Sequence, residues 1–413
     1  MHKSQDLTGR RWLILAISCL VNLCAGSLYA WSVFSAPMAE YLQQFTASDI
    51  PDLAVVFTVA NAVGPFTMIS GGRINDKLGP RWVLVVGGIL LGGGMIGCGM
   101  ARSFTALLLS YGLGVGLGVG MIYGTIVSNT IKFFPDHRGM AGGITTAVYG
   151  SSSILIPPVA NKIIEHFSVS HAFILLGTAM LAAVCISSFF IIPCPKGFAP
   201  VGWKPPETSG RASARDYDFR EMLASPVFYI MIVVLLFGAF AGLMITSQAS
   251  PMAQNLIGMD PQNAALAVSI LALFNTAGRI ASGTLSDKIG TPNTLAITFT
   301  LSAAALLLMT QCQTGSSALF LLCISLVGFG FGSIMGVYPG FTAMQFGSAH
   351  NSVNYGIMFI GFALAGAIGP TMMGQIRGIT GQYQPAFLIS AGLNLLGLGA
   401  ILCFKKLLSP VKK

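Results

Sequence analysis

Asn275, Arg279, Ser282 and Ser286 lie at helical spacing in the apolar run 262–286, so they share one helix face. The chemistry this face offers is anion recognition. A guanidinium grips a carboxylate through two parallel hydrogen bonds, and an amide one turn away can orient it or bind a substrate hydroxyl. Arg279 is the one charged residue placed well inside an apolar run. A charge at the centre of a spanning helix costs about 2.5–3.5 kcal/mol, so such a stripe faces the protein interior or a watery cavity. Two readings compete: a structural arginine satisfied by backbone carbonyls, and an arginine kept for an anionic ligand. The interiors of the apolar runs hold no carboxylate to neutralise it, which favours the ligand.

The surrounding chain is built for a bilayer. Of 413 residues, 54% are hydrophobic and 8% charged, against about 25% charged in soluble domains. Twelve apolar runs fall near 12–38, 52–72, 82–100, 104–132, 140–163, 171–193, 226–252, 262–286, 293–311, 317–345, 353–376 and 384–404. The alternation of a membrane barrel is absent, so the runs are helices. The first is too long for a signal-peptide core and reads as a spanning helix.

The net charge of +9 could suggest nucleic acid, but its distribution does not. Apart from Arg279, the cations outside the terminal side of the topology are Arg102, Lys162 and Arg377. This is the positive-inside pattern, and it places both termini in the cytoplasm, with the chain in the cell (inner) membrane. The eight cysteines are scattered, without a C-x-x-C pair or a histidine cluster, and read as apolar packing residues. Neither a metal nor a cofactor is expected.

The chain repeats itself. Gly72-Arg-Ile-Asn-Asp76-Lys77-Leu-Gly79-Pro-Arg81 recurs as Gly283-Thr-Leu-Ser-Asp287-Lys288-Ile-Gly290. Gly116-Leu-Gly118-Val-Gly120 recurs as Gly328-Phe-Gly330-Phe-Gly332, and Ala36-Pro37-Met38-Ala39 as Ser250-Pro251-Met252-Ala253. The offset stays near about 210 residues throughout. The expectation is an N-terminal six-helix bundle at 1–193, a cytoplasmic linker at 194–225 and a C-terminal six-helix bundle at 226–413. Within the linker, Asp216–Glu221 is expected to form a short surface helix. In the repeated loop, Asp76 and Asp287 can accept hydrogen bonds from helix-end amides, while Lys77, Arg81 and Lys288 face the cytoplasm.

The glycines Gly112, Gly114, Gly116, Gly118 and Gly120 mimic a dinucleotide fingerprint. The strand before it and the acid about 20 residues on are missing. Close helix packing at 112/116/120 and 114/118, and at 328, 332 and 336, is the better reading. Aromatic residues furnish a candidate cavity: Tyr29, Trp31 and Phe34 in the first run, then Tyr123, Tyr149, Phe331, Tyr338, Tyr355 and Phe359. Any one alone is more often core or lipid-facing. Tyrosine is the informative type, because its hydroxyl wants a partner. Paired membrane aspartates, H-E-x-x-H and a recognisable nucleophile–base pair are all missing, which argues against an intramembrane enzyme. The linker is too short for a signalling domain.

The G-x-x-x-D-K-x-G loop and its repeat resemble the signature of the major facilitator superfamily: twelve helices in two pseudo-symmetric six-helix bundles around a cavity that opens alternately to each side. The segments Gly-Ser-Leu-Tyr29-Ala-Trp31-Ser, Met-Ile-Tyr123-Gly, Phe134-Pro-Asp-His-Arg138-Gly-Met-Ala-Gly and Asn354-Tyr355-Gly356, with Arg279, resemble its oxalate/formate antiporter and monocarboxylate transporter branch. That resemblance implies a binding set of Arg279, Asn275, Leu28, Tyr29, Tyr123, Tyr149, Phe331, Met335, Tyr338, Phe359 and Phe362. It implies gating roles for Asp76, Lys77, Arg81, Arg138, Asp287 and Lys288.

Three departures are informative. Oxalate exchangers carry a second cation where this chain has Phe362. Monocarboxylate transporters of animals carry an aspartate where it has Asn275, and a lysine where it has Val33. The chain therefore most resembles bacterial homologues of the proton-coupled lactate transporters. The resemblance implies a monomer that moves a small carboxylate with a proton, with an organic anion exchanger as the alternative.

Overall fold

The structure is a computed structural model that describes residues 2–46, 50–195, 197–203 and 215–408, apart from the side chains of 2–6, 407 and 408. Lys196, Lys204, Arg211, Lys412 and Lys413, and the Lys3 side chain, lie outside the described residues.

Each apolar run forms a helix, and no strand occurs among the described residues. In chain order they are α1 (Leu7–Gln43), α2 (Ala54–Leu78), α3 (Pro80–Met100), α4 (Phe104–Lys132), α5 (Arg138–His166), α6 (Val169–Phe190), α7 (Pro226–Asn255), α8 (Pro261–Ile289), α9 (Thr291–Met309), α10 (Ser317–Phe346), α11 (Asn351–Thr380) and α12 (Gln384–Leu408). Eleven are long and apolar enough to cross a membrane. The exception, α5, is as long, but its glycines, hydroxyl residues and Pro157–Pro158 pair make it more polar. A short surface helix, Phe219–Ala224, precedes α7. It starts later than expected because Asp216 and Tyr217 are engaged elsewhere. The Ala349 amide donates to Asp216 Oδ1 (3.0 Å), and the Tyr217 amide donates to the Phe346 carbonyl (2.9 Å).

The repeat is visible in the backbone. Gly79 and Gly290 end α2 and α8 with the same φ of +84°, a left-handed conformation that glycine adopts without a Cβ penalty. Pro37 and Pro251 lie inside α1 and α7.

The chain forms two compact units. The first comprises Met1–Asp136, Val148–Phe219 and Ala343–Ile357. The second comprises His137–Ala147, Arg220–Thr342 and Met358–Lys413. Each therefore includes a short segment from the other half of the sequence.

In the first unit the α4 glycines work on two faces. A Cβ at Gly116 would meet the Ala60 backbone of α2, and one at Gly118 the Leu91 backbone of α3. An ion pair fixes the start of α1: Arg11 Nη1 donates to both carboxylate oxygens of Asp136 (2.8 and 2.9 Å), and the guanidinium lies 4.8 Å from the Phe134 ring centroid. In the second unit, Gly328, Gly332 and Gly336 of α10 face the carbonyls of Leu271, Asn275 and Arg279 in turn, so α10 lies against the α8 backbone along two turns. Gly139 and Gly143, in the first turns of α5, approach the Gly283 and Arg279 carbonyls in the same way.

Two outcomes test this packing. A Cβ at Gly332 would overlap the Asn275 carbonyl, whereas Gly374 has open space around it. Gly332→Val is expected to lose about 1–3 kcal/mol of stability, read as a lower unfolding midpoint in detergent, while Gly374→Ala loses none. Asp260 caps α8: the Asn263 amide donates to Oδ1 at 2.9 Å, and this bond holds the carboxyl below its usual range. A depressed folded pKa gives stability above the unfolded value, lost as pH falls through the folded one. The midpoint deficit of Asp260→Ala is therefore expected at neutral pH and should shrink as pH falls below the ordinary carboxylate range.

Candidate functional site

Arg279 is 4% exposed, on α8 of the second unit. Its Nε donates to Asn275 Oδ1 at 3.0 Å, one turn earlier on the same helix. Its Nη1 donates to the backbone carbonyl of Thr146, in the first turns of α5, at 2.7 Å. No described residue accepts from Nη2, and that nitrogen is not sealed from solvent. The bond at Nη1 is the backbone-carbonyl contact of the structural reading. A backbone carbonyl takes one terminal nitrogen and the other remains available to an acceptor. Ser282 lies further along the stripe, with its hydroxyl 2.6 Å from that of Ser333 on α10, and Ser286 bonds to its own helix at the Gly283 carbonyl.

Next to its glycine face, α10 presents Phe331 and Met335 at the spacing of one turn, both buried. Phe331 stacks on Phe362 of α11 (centroids 6.3 Å, 7° between planes), and Phe362 on Phe359 (4.5 Å, 27°). The three rings form a continuous apolar wall in the second unit. Phe359 stands where the helix of α11 is interrupted, between Asn351–Met358 and Ile360–Thr380. Tyr338 is fully buried and donates its hydroxyl to the Met231 carbonyl of α7 (2.7 Å), which makes it a bridge between helices in this structure.

The other expected tyrosines, Tyr29, Tyr123, Tyr149 and Tyr355, assemble in the first unit. Tyr29 meets Tyr149 edge-on (5.4 Å, 75°), and Tyr149 packs on Tyr123 (4.7 Å, 53°). The Tyr123 hydroxyl lies 3.4 Å from that of Tyr355. Leu28 and Tyr29 occupy a stretch of α1, Gly26–Ala30, that tightens to a 3-10 turn. Such a break in a long helix often marks a hinge or a site. Trp31 and Phe34 pack on Tyr111 and Phe173, which fits their core reading.

The two copies of the loop motif use their acids differently. Asp287 accepts from the amides of Gly139 and Met140, both at 2.8 Å, and so caps the start of α5. Asp76 instead pairs with Lys132 at the end of α4 (3.3 Å). Beside it, Asn75 Nδ2 donates to Ser352 Oγ at the start of α11 (2.7 Å). Lys77 and Lys288 are exposed, and Arg81 lies 4.8 Å from the Phe189 ring centroid. The backbone of Arg138 runs close to Gly340 of α10.

Thr146 carries no sequence signal, because its contribution is a main-chain oxygen. Lys132, Asn75 and Ser352 had a weak one: polar residues at the ends of apolar runs, close to the loop motifs.

The chain can be compared with known proteins on this footing. The oxalate:formate antiporter of Oxalobacter formigenes is 28% identical over 416 residues, covering 100% of this chain and 96% of that protein. Monocarboxylate transporter 11 of Mus musculus is 26% identical over 406 residues, covering 94% and 86%. In three dimensions, the crystal structure of the E. coli transporter FucP in the outward conformation is similar, with a TM-score of 0.69 at 15% identity, covering 96% of this chain and 99% of that one. The family description "Major Facilitator Superfamily" matches residues 15–370 and 252–413. With twelve helices in this arrangement and that match along its length, the chain belongs to the Major Facilitator Superfamily of membrane transporters.

Proposed function

We propose that this protein is a secondary transporter of short monocarboxylates of the L-lactate and pyruvate type, moved with a proton by alternating access. The observation that carries the reading is the half-satisfied guanidinium of Arg279: two nitrogens are held in place and Nη2 is open. A fixed, desolvated guanidinium with one open edge recognises a carboxylate strongly, because little side-chain freedom is lost on binding. Asn275 sets its orientation, and the wall of Phe331, Phe359 and Phe362 suits an apolar carbon tail and offers no second positive charge for a dianion. Tyr29, Tyr123 and Tyr149 are proposed as further substrate contacts. Both termini face the cytoplasm of the inner membrane, and the monomer is the working unit. The interiors of the spanning helices supply no Asp, Glu or His, so the substrate carboxylate carries the proton and Arg279 responds to its charge.

Substituting Arg279 by Ala is expected to cut L-lactate uptake into proteoliposomes by about 30-fold or more, the equivalent of at least about 2 kcal/mol for a truncated buried charge pair. Arg279→Lys keeps the charge without the planar fork and is expected to recover a small part. Full uptake by a correctly inserted Arg279→Ala protein overturns the mechanism.

Exchange of organic anions is a second reading, supported by the resemblance to an oxalate:formate antiporter. An imposed inward proton gradient separates the two. Symport predicts accelerated net lactate uptake into empty vesicles. Exchange predicts uptake that needs internal oxalate or formate and ignores the gradient.

A further inference from the structure

The end of α2 faces a cavity of about 210 Å³ in the first unit. Its charged and titratable lining is Arg73, Asp76 and Lys77 of α2, Asp218 ahead of the surface helix, and His350 in the α10–α11 connection. Asp76 is tied through one oxygen. Its Oδ1 accepts from Lys132 Nζ at 3.3 Å, while Oδ2 is sealed from solvent and no described residue donates to it. A buried carboxylate oxygen without a donor is unfavourable. Printed contacts on both sides bring His350 to this acid. Lys132 Nζ also donates to the Ala349 carbonyl (3.3 Å), so one ammonium joins Asp76 to the residue before His350. Asn75 Nδ2 donates to Ser352 Oγ (2.7 Å), two residues after it. The other groups around the cavity have different placements. The Arg73 guanidinium lies 5.3 Å from the Phe219 ring centroid, and Asp216 accepts from the Ala349 amide (3.0 Å). Lys77 is exposed and leaves the helix about 100° round from Asp76.

We propose that His350 is a pH sensor: when protonated it donates to Asp76 Oδ2 and adds a third bond to the clasp that holds the start of α11 against α2 and α4. Histidine is the side chain that changes charge between about pH 5 and 8. A bond from imidazolium to carboxylate is roughly twice as strong as one from the neutral ring. The added tie is therefore present in acid and is lost as pH rises through neutrality. His350 is exposed, so solvent protons reach it, and on the proposed orientation that solvent is the cytoplasm. The clasped segment, Ala343–Ile357, belongs to the C-terminal half of the sequence yet packs in the first unit. Alternating access requires it to part from α2 and α4, so a tighter clasp slows opening to the cytoplasm. The inference rests on that reading of transport and gives it a feedback: entry of an acid lowers the internal pH and brakes further entry.

The test is hydrogen–deuterium exchange of the purified full-length protein in detergent at about pH 8 and about pH 5.5, on either side of histidine titration, with rates corrected for their intrinsic pH dependence. In the wild type, peptides spanning 72–79 and 347–356 are expected to exchange about tenfold more slowly at the lower pH, the scale of a hydrogen bond between charged groups. His350→Gln is expected to lose this gain while keeping the rates at the higher pH. His350→Lys, which stays charged, is expected to exchange slowly at both. Asp218→Asn removes the rival acid of the cavity and is expected to keep the gain. The proposal is overturned if the wild type shows no gain, if the gain persists in His350→Gln, or if Asp218→Asn abolishes it. The measurement uses no substrate, so its failure leaves the reading of Arg279 standing, and failure of lactate uptake leaves the sensor standing.

Discussion

A guanidinium inside a membrane helix has to find acceptors, and much of the second unit is arranged around that need. Arg279 reaches its acceptors because α8 is approached at backbone distance on two sides. The glycines of α10 remove side chains from one contact and those at the start of α5 remove them from the other. The second approach is what brings the Thr146 carbonyl to 2.7 Å from Nη1. The glycines and the arginine thus belong to one device: close packing supplies a main-chain oxygen where the sequence supplies no acid.

The helices themselves were easy to read, because each long apolar run has few other ways to satisfy its backbone in lipid. The polar stripe on α8 was equally plain, since Asn275 and Arg279 are one turn apart and do bond to each other. Other features lay beyond pattern reading. Glycine spacing announces close approach without naming the partner, so the alignment of Gly328, Gly332 and Gly336 with successive α8 carbonyls came from the fold. The surface helix expected from Asp216 begins at Phe219, because tertiary hydrogen bonds hold Asp216 and Tyr217 outside it. The grouping of His137–Ala147 with the second unit leaves no mark on α5, whose helix runs on through Ala147.

The two repeats are alike in backbone and unlike in charge. Gly79 and Gly290 take the same conformation, yet Asp287 caps a helix through two amides while Asp76 takes a lysine. Amides at a helix start are fixed dipoles with no titration of their own. An ammonium on a flexible stem is a mobile charge that screening can reach. The contact at Asp76 thus joins two full charges, and the contact at Asp287 joins one charge to fixed dipoles.

The bond from Arg279 to Thr146 also bears on how the protein tolerates change. Its acceptor belongs to the main chain, so no exchange of the Thr146 side chain deletes it. An alanine at this position would leave the acceptor in place and remove only the buried bond from the Thr146 hydroxyl to the Gly143 carbonyl. The contact is shielded from most single-codon variation, and only a change in the path of the helix, or chemical replacement of the amide by an ester, would weaken it. A charge that the membrane makes expensive is thus tied to the part of the polypeptide that mutation alters least.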